Sequence, residues 1–270
     1  MISHNGRNID FQDLGDGPAI LFVPGSFSTP AECCPIQKLL LPGYRFVSTS
    51  LCGYGATDET RTADDFDIAH EIRVIEAVAR HIGEPVHLVG HSFGGTVALA
   101  AALAGNIELR SIATFEANPL CLMLDRGRDD LFDAARQMSA AYEVAVQTGE
   151  VHAPRRIIDF WGGDGAWATM PEAVQEYCCD TAAANVLDWH TDFGFSPGLD
   201  DFAGLDIPVL LVRGALTNAA IVEMTEGLAD CIPHARSVQI DGASHFLITT
   251  HPARCAGLLA DFLETAGPLA

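Results

Sequence analysis

With 270 residues, 49% hydrophobic and 8% aromatic, the chain can bury a sizeable core, as one large domain or two small ones. Its formal net charge is −21, and Lys38 is the one lysine among 15 basic residues. A surface that acidic repels polyanions, which argues against nucleic acid or an anionic membrane as partner, although a lineage-wide composition bias would leave the same charge.

Asn8–Leu14 alternates apolar and polar residues as a half-buried strand does, and Gly15-Asp16-Gly17-Pro18 turns the chain. Ala19–Val23 is the next strand and ends at Pro24-Gly25-Ser26; Arg45–Thr49 is another, leading into Leu51-Cys52-Gly53-Tyr54-Gly55-Ala56-Thr57. Asp64–Ile82 has Ile68, Ile72, Ile75, Val78 and Ala79 at helical spacing, with Asp64 or Asp65 as the expected N-cap and Gly83 as the stop. A strand at Val86–Val89, a helix over Ser92–Ala104 and a strand at Ser111–Phe115 follow. Strands alternating with helices predict an α/β fold with a mostly parallel, doubly wound sheet.

That alternation stops between Pro119 and Asp201. Asp129–Thr148, Pro154–Trp161 and Pro171–Val186 carry helix-like apolar spacing, and the stretch holds all three tryptophans, Trp161, Trp167 and Trp189. An aromatic-rich helical insertion after a core strand suits a cap over a binding cleft, although most of these rings serve the insertion's own packing. The expected division is therefore a core of residues 1–118 and 202–270 with a helical cap at 119–201. The sheet resumes at Pro208–Val212 and Arg236–Ile240, and a last helix runs from Pro252 to Thr265.

Met1–Arg7 lacks the apolar centre of a signal peptide, and no run approaches membrane-spanning length. The eight cysteines include the adjacent pairs Cys33-Cys34 and Cys178-Cys179, which suit neither bridging geometry nor a zinc site. Reduced thiols and a cytoplasmic location are expected, with no metal.

Gly90-His91-Ser92-Phe93-Gly94-Gly95 lies between the Val86–Val89 strand and an Ala/Leu-rich helix. A serine in a Gly-x-Ser-x-Gly turn between strand and helix is held in a strained bend with its hydroxyl exposed above the sheet. Ser92 is the candidate nucleophile. A serine needs a base, and His245, in Asp241-Gly242-Ala243-Ser244-His245-Phe246 directly after the last strand, stands at the same sheet edge. His91 is expected to turn away from Ser92 into the packing, and His87 to be a satisfied buried histidine. The base needs a carboxylate, yet the loop after Pro208–Val212 reads Arg213-Gly214-Ala215-Leu216-Thr217-Asn218. Glu116, at the end of the preceding strand, is the candidate acid; a structural Glu116 bound to loop amides, or Asp241 as the acid, are the alternatives. The backbone N–H groups of Phe93 and of Ser26, with Phe27 close behind, are the expected oxyanion donors.

Through the Gly90–Gly95 turn, the Gly53-Tyr54-Gly55 turn and the Gly242-Ala243-Ser244-His245 loop, the whole chain resembles the α/β-hydrolase fold family. It departs from that family in having Pro24-Gly25 in place of His-Gly, Ser50 in place of an aspartate, and no acid after the penultimate strand. The resemblance implies a cofactor-free hydrolase acting on a small-molecule substrate, and a serine at the elbow disfavours the dehalogenases and epoxide hydrolases that use aspartate there. Hydrolysis of a small, largely apolar carboxylic ester or lactone is expected, and the chain could assemble as a homodimer. The alternatives are carbon–carbon bond hydrolysis, a perhydrolase activity, or a lyase or ligand receptor of the same fold.

Overall fold

The computed structural model describes residues 1–4, 6–40 and 43–266. β1 (Ile2–His4) and β2 (Arg7–Ile9) form an antiparallel ribbon beside the main sheet. The main sheet has seven strands: β3 (Phe11–Leu14), β4 (Ala19–Val23), β5 (Arg45–Thr49), β6 (Val86–His91), β7 (Leu109–Phe115), β8 (Val209–Gly214) and β9 (Ala235–Ile240). Their order is β3-β5-β4-β6-β7-β8-β9, with β3 antiparallel to β5 and every other pair parallel. From β4 the chain goes first to β5 on one side and then to β6 on the other. The carboxyl ends of β4 and β6 therefore flank a topological switch point, where open α/β sheets leave a crevice.

Along β4, Ile20 and Phe22 join one core cluster while Leu21 and Val23 join another, as the two-residue period of a strand buried on both faces requires. The helices α1 (Cys34–Leu40), α2 (Ala69–Ile82), α3 (Phe93–Ala104), α11 (Ala219–Cys231), α12 (Leu247–Thr250) and α13 (Pro252–Thr265) cover the sheet. Between β7 and β8 lie α4 (Cys121–Asp125), α5 (Asp129–Gln147), α6 (Arg155–Gly162), α7 (Ala166–Thr169), α8 (Glu172–Asp180), α9 (Ala182–Gly194) and α10 (Leu199–Ala203).

Two helices differ from expectation. The one expected from Asp64 begins at Ala69, so neither Asp64 nor Asp65 caps it. Thr62 and Asp65 exchange both backbone hydrogen bonds across a tight turn, and Asp67 accepts the Ala69 N–H at 2.8 Å instead. Its end is as expected, with Gly83 at φ +76°. The single helix expected over Pro171–Val186 is two, broken at Thr181, whose hydroxyl donates back to the Tyr177 carbonyl at 2.7 Å. The second, α9, continues to Gly194 and so carries Trp189.

Candidate active site

β6 ends at His91 and α3 begins at Phe93, which leaves Ser92 alone in the turn with φ +53° and ψ −128°. That conformation is costly for a residue with a side chain, and the surroundings hold it. The Ser92 N–H donates to the Phe115 carbonyl at 2.9 Å, and its carbonyl accepts from Gly95 at 2.8 Å. A Cβ at Gly90 would collide with the Gly94 carbonyl, and one at Gly94 with the Pro24 carbonyl, so glycine is required at both positions.

Ser92 Oγ donates to His245 Nε2 across 2.9 Å, and His245 Nδ1 donates to Glu116 Oε2 across 3.1 Å. Glu116 directly follows β7 and has φ +57°; its own N–H is tied to the Val212 carbonyl at 2.8 Å. The fully buried carboxylate also accepts the Gly214 N–H at 2.5 Å and the Thr217 hydroxyl. The loop after β8, which has no acid, therefore serves Glu116 with donors. Asp241 is exposed in its turn. Burial lowers the His245 pKa below its ordinary 6.5, against the opposing hydrogen bond from Glu116. The imidazole is thus neutral at pH 7, with Trp161 stacked on it at 5.5 Å between ring centroids.

A second buried link runs behind the elbow. The Gly25 N–H donates to Glu32 Oε2 at 3.0 Å, His91 Nδ1 donates to Glu32 Oε1 at 3.0 Å, and His91 Nε2 donates to the His245 carbonyl at 3.0 Å. Burial disfavours charge on both side chains, but their mutual attraction outweighs it, raising His91 and lowering Glu32. His91 is buried as expected, yet it ties the turn after β4 to the histidine loop and reaches the cavity wall.

The turn after β4 carries Ser26 and then Phe27 at φ +60°. The Ser26 hydroxyl donates to Asp188 Oδ2 at 2.5 Å, and the Tyr54 hydroxyl donates to the same oxygen at 2.5 Å. Arg61, with a fully buried side chain, reaches Asp188 Oδ1 at 2.8 Å, Glu71 at 3.1 Å and Glu59 at 2.8 Å. Burial raises Asp188 to about 6 despite Arg61.

A cavity of about 770 Å³ opens above Ser92. The sheet side contributes Ser26, Phe27, Phe93 and His245; the helical side contributes Ile157, Ile158, Trp161, Met170, Val174 and Trp189, with Asn185, Asp188 and Asp192 along one face of α9. Among the described residues no group of His, Cys, Asp and Glu could hold a metal ion, and no helix is long and apolar enough to cross a membrane. All eight cysteines are unbridged. His87 bonds Ser111 at 2.8 Å and burial lowers it to about 4, leaving it a neutral packing group away from the cavity.

Sequence reasoning missed Glu32, Arg61, Asp188 and Asp192. The α9 acids did leave a signal: Asn185, Asp188, Trp189 and Asp192 fall at i, i+3, i+4 and i+7, which puts polar residues on the helix face that should be buried.

The sequence pattern of the alpha/beta hydrolase family matches residues 20–258. A fluoroacetate dehalogenase from Burkholderia sp is 26% identical, covering 93% of this chain and 89% of its own length. A non-heme chloroperoxidase from Streptomyces lividans is 27% identical over 92% of this chain and 93% of its own. A pimeloyl-[acyl-carrier protein] methyl ester esterase from Aeromonas hydrophila is 23% identical over 95% and 99%.

Proposed function

The chain belongs to the alpha/beta hydrolase family, and on that premise we propose that it hydrolyses small, uncharged, largely apolar carboxylic esters or lactones through a covalent Ser92 intermediate. The observation that carries this reading is the unbroken hydrogen-bonded chain Ser92–His245–Glu116 at the floor of the cavity. Ser92 Oγ attacks the ester carbonyl carbon as its proton passes to His245 Nε2. The oxyanion is received by the backbone N–H groups of Phe93 and Ser26. Collapse of the tetrahedral adduct expels the alcohol, which takes the proton from His245. Water then attacks the acyl-enzyme, giving its proton to His245, and collapse of the second adduct releases the acid as His245 returns the proton to Ser92 Oγ. Glu116 holds the imidazole in the tautomer with Nδ1–H and stabilises its charged form. Residues 119–201 act as the cap, and residues 1–118 with 202–270 as the hydrolase core.

The lining supports an uncharged substrate. It contains no lysine or arginine, and the charge on His91 is already matched by Glu32. A carboxylate or phosphate on the substrate would have no cation to meet. Ser92 also argues against the chemistry of the dehalogenase relative. Displacing a halide from carbon with a serine oxygen would leave an ether, with no carbonyl for water to attack, and turnover would stop. The likeness to a named chloroperoxidase favours one further reaction at the same acyl-enzyme: hydrogen peroxide in place of water would release a peracid.

The test is a substrate panel of p-nitrophenyl esters, lactones, vinylogous diketones and fluoroacetate, with and without hydrogen peroxide, alongside fluorophosphonate labelling. Ester or lactone turnover with label on Ser92 is expected. Folded protein that takes no label, or that turns over only diketones or fluoroacetate, would overturn the reading.

A further inference from the structure

A backbone N–H needs no hydroxyl on its own residue, yet the Ser26 hydroxyl is bound at 2.5 Å to a carboxylate from a distant helix. Burying that carboxylate is costly, since Asp188 is 2% exposed. It is met by a rigid set of core donors: the Tyr54 hydroxyl, from the segment after β5, and the Arg61 guanidinium. Arg61 is itself fixed by Glu59, by Glu71 of α2 and by the carbonyls of Cys52 and Ala184. Asp188 is thus anchored to the core without Ser26, and the bond to Ser26 is an additional tie from that anchor to the turn after β4.

That turn needs external restraint. Four described non-glycine residues have positive φ: Phe27, Ser92, Glu116 and His152. Two of them are the proposed nucleophile and acid, and Phe27 directly follows Ser26. A side chain at that φ strains the backbone, so the turn would relax unless something opposed it. Three bonds do so: Glu32 holds the Gly25 N–H, the Ser28 hydroxyl donates to the Ser26 carbonyl at 3.3 Å, and Asp188 holds the Ser26 hydroxyl, the one tie that comes from a distant helix.

We infer that Asp188 is a positioning residue of the reaction: by binding the Ser26 hydroxyl it fixes the Ser26–Phe27 turn so that the Ser26 N–H faces the oxyanion, making a complete oxyanion site depend on helix α9 being seated. This inference rests on the acyl-enzyme reading above. Asp188 touches no reacting atom and acts through Ser26. The loss it controls therefore belongs to kcat, because the oxyanion forms only after substrate is bound.

The experiment compares Ser26→Ala, Ser26→Thr, Asp188→Asn and the Ser26→Ala/Asp188→Asn double variant on one p-nitrophenyl ester. Ser92 labelling is read in parallel. In Asp188→Asn the Arg61 guanidinium claims the amide oxygen, which leaves an NH2 group where Oδ2 stood, unable to accept the protons of the Ser26 and Tyr54 hydroxyls. Ser26→Ala keeps every backbone donor and removes only the tie. Ser26→Ala and Asp188→Asn should each lower kcat about 10–100-fold with KM held within about threefold, less than the full loss of an oxyanion donor. The double variant should fall no further than the worse single variant, and Ser26→Thr should recover most of the rate. Wild-type kcat in Ser26→Ala, or losses that multiply in the double variant, would overturn the inference while labelling of Ser92 persists. If wild-type Ser92 takes no label, the acyl-enzyme reading fails and this inference fails with it.

Discussion

The two walls of the cavity place their polar groups by different means. On the sheet side, position comes from the backbone: Ser92 and Glu116 sit in turns at the carboxyl ends of β6 and β7, held by main-chain bonds across the sheet. On the helical side, position comes from charge, with Asp188 fixed by Arg61, which also serves Glu59 and Glu71. The balance of charge differs as well. His91 and Glu32 match one to one and both favour the charged form, whereas a single guanidinium faces several acids and Asp188 rises to about 6. A wall built from backbone should tolerate side-chain removal as a fold and lose only chemistry. A wall built on one buried cation should lose stability first.

The strongest way to break that contrast is to remove chemistry from the sheet side. Ser92→Ala and His245→Ala should each lower kcat about 10⁴-fold or more, and together no further, with the melting transition nearly unchanged. Glu116→Gln should cost about 10³–10⁴-fold, because the amide no longer selects the productive tautomer. Steady-state kinetics beside thermal melts checks both, and a large drop in melting temperature would erase the distinction between the walls. On the helical side, Arg61→Met leaves Glu71 and Asp188 buried without their cation and should destabilise the fold by about 3–5 kcal/mol. Denaturant unfolding measures it; a loss under about 1 kcal/mol would show that the cluster does not depend on Arg61.

The smallest effect sharpens the comparison through pH. Because burial depresses His245, the acid limb of kcat/KM should have its midpoint below 6.5, and a midpoint at or above 6.5 would contradict the buried environment. The folded state resists protonating His245, so its contribution to stability is lost as pH falls from 6.5 through the depressed pKa. Asp188 has the opposite sign. Its folded pKa of about 6 exceeds 3.8, so its contribution is full below 3.8 and lost as pH rises through 6, roughly 3 kcal/mol over the window.

The same contrast explains what could be read from the chain alone. The sheet side is written locally: a glycine turn between strand and helix marks Ser92, a glycine loop after the last strand marks His245, and a charged residue closing an apolar strand marks Glu116. The helical side is not written locally. Asp188 meets Ser26 across 162 residues and Arg61 across 127, and no spacing rule links them. Nor does periodicity reveal the stop between α8 and α9, where Thr181 departs from helical geometry at φ −103° and ψ 11° while its hydroxyl bonds the carbonyl one turn back. The Asp64–Ile82 expectation failed at its start for a similar reason, since Thr62 and Asp65 pair with each other before the helix can begin.

The left-handed turns at Phe27, Ser92 and Glu116 also set how the protein should respond to selection for heat resistance. Three strained residues within one site form a reserve of stability that evolution or engineering could release by flattening any of the turns, and each release would be taken from turnover. Variants chosen for survival at high temperature alone should therefore drift toward inactivity at these positions. Variants chosen for activity after heating should leave them untouched and gain their resistance elsewhere.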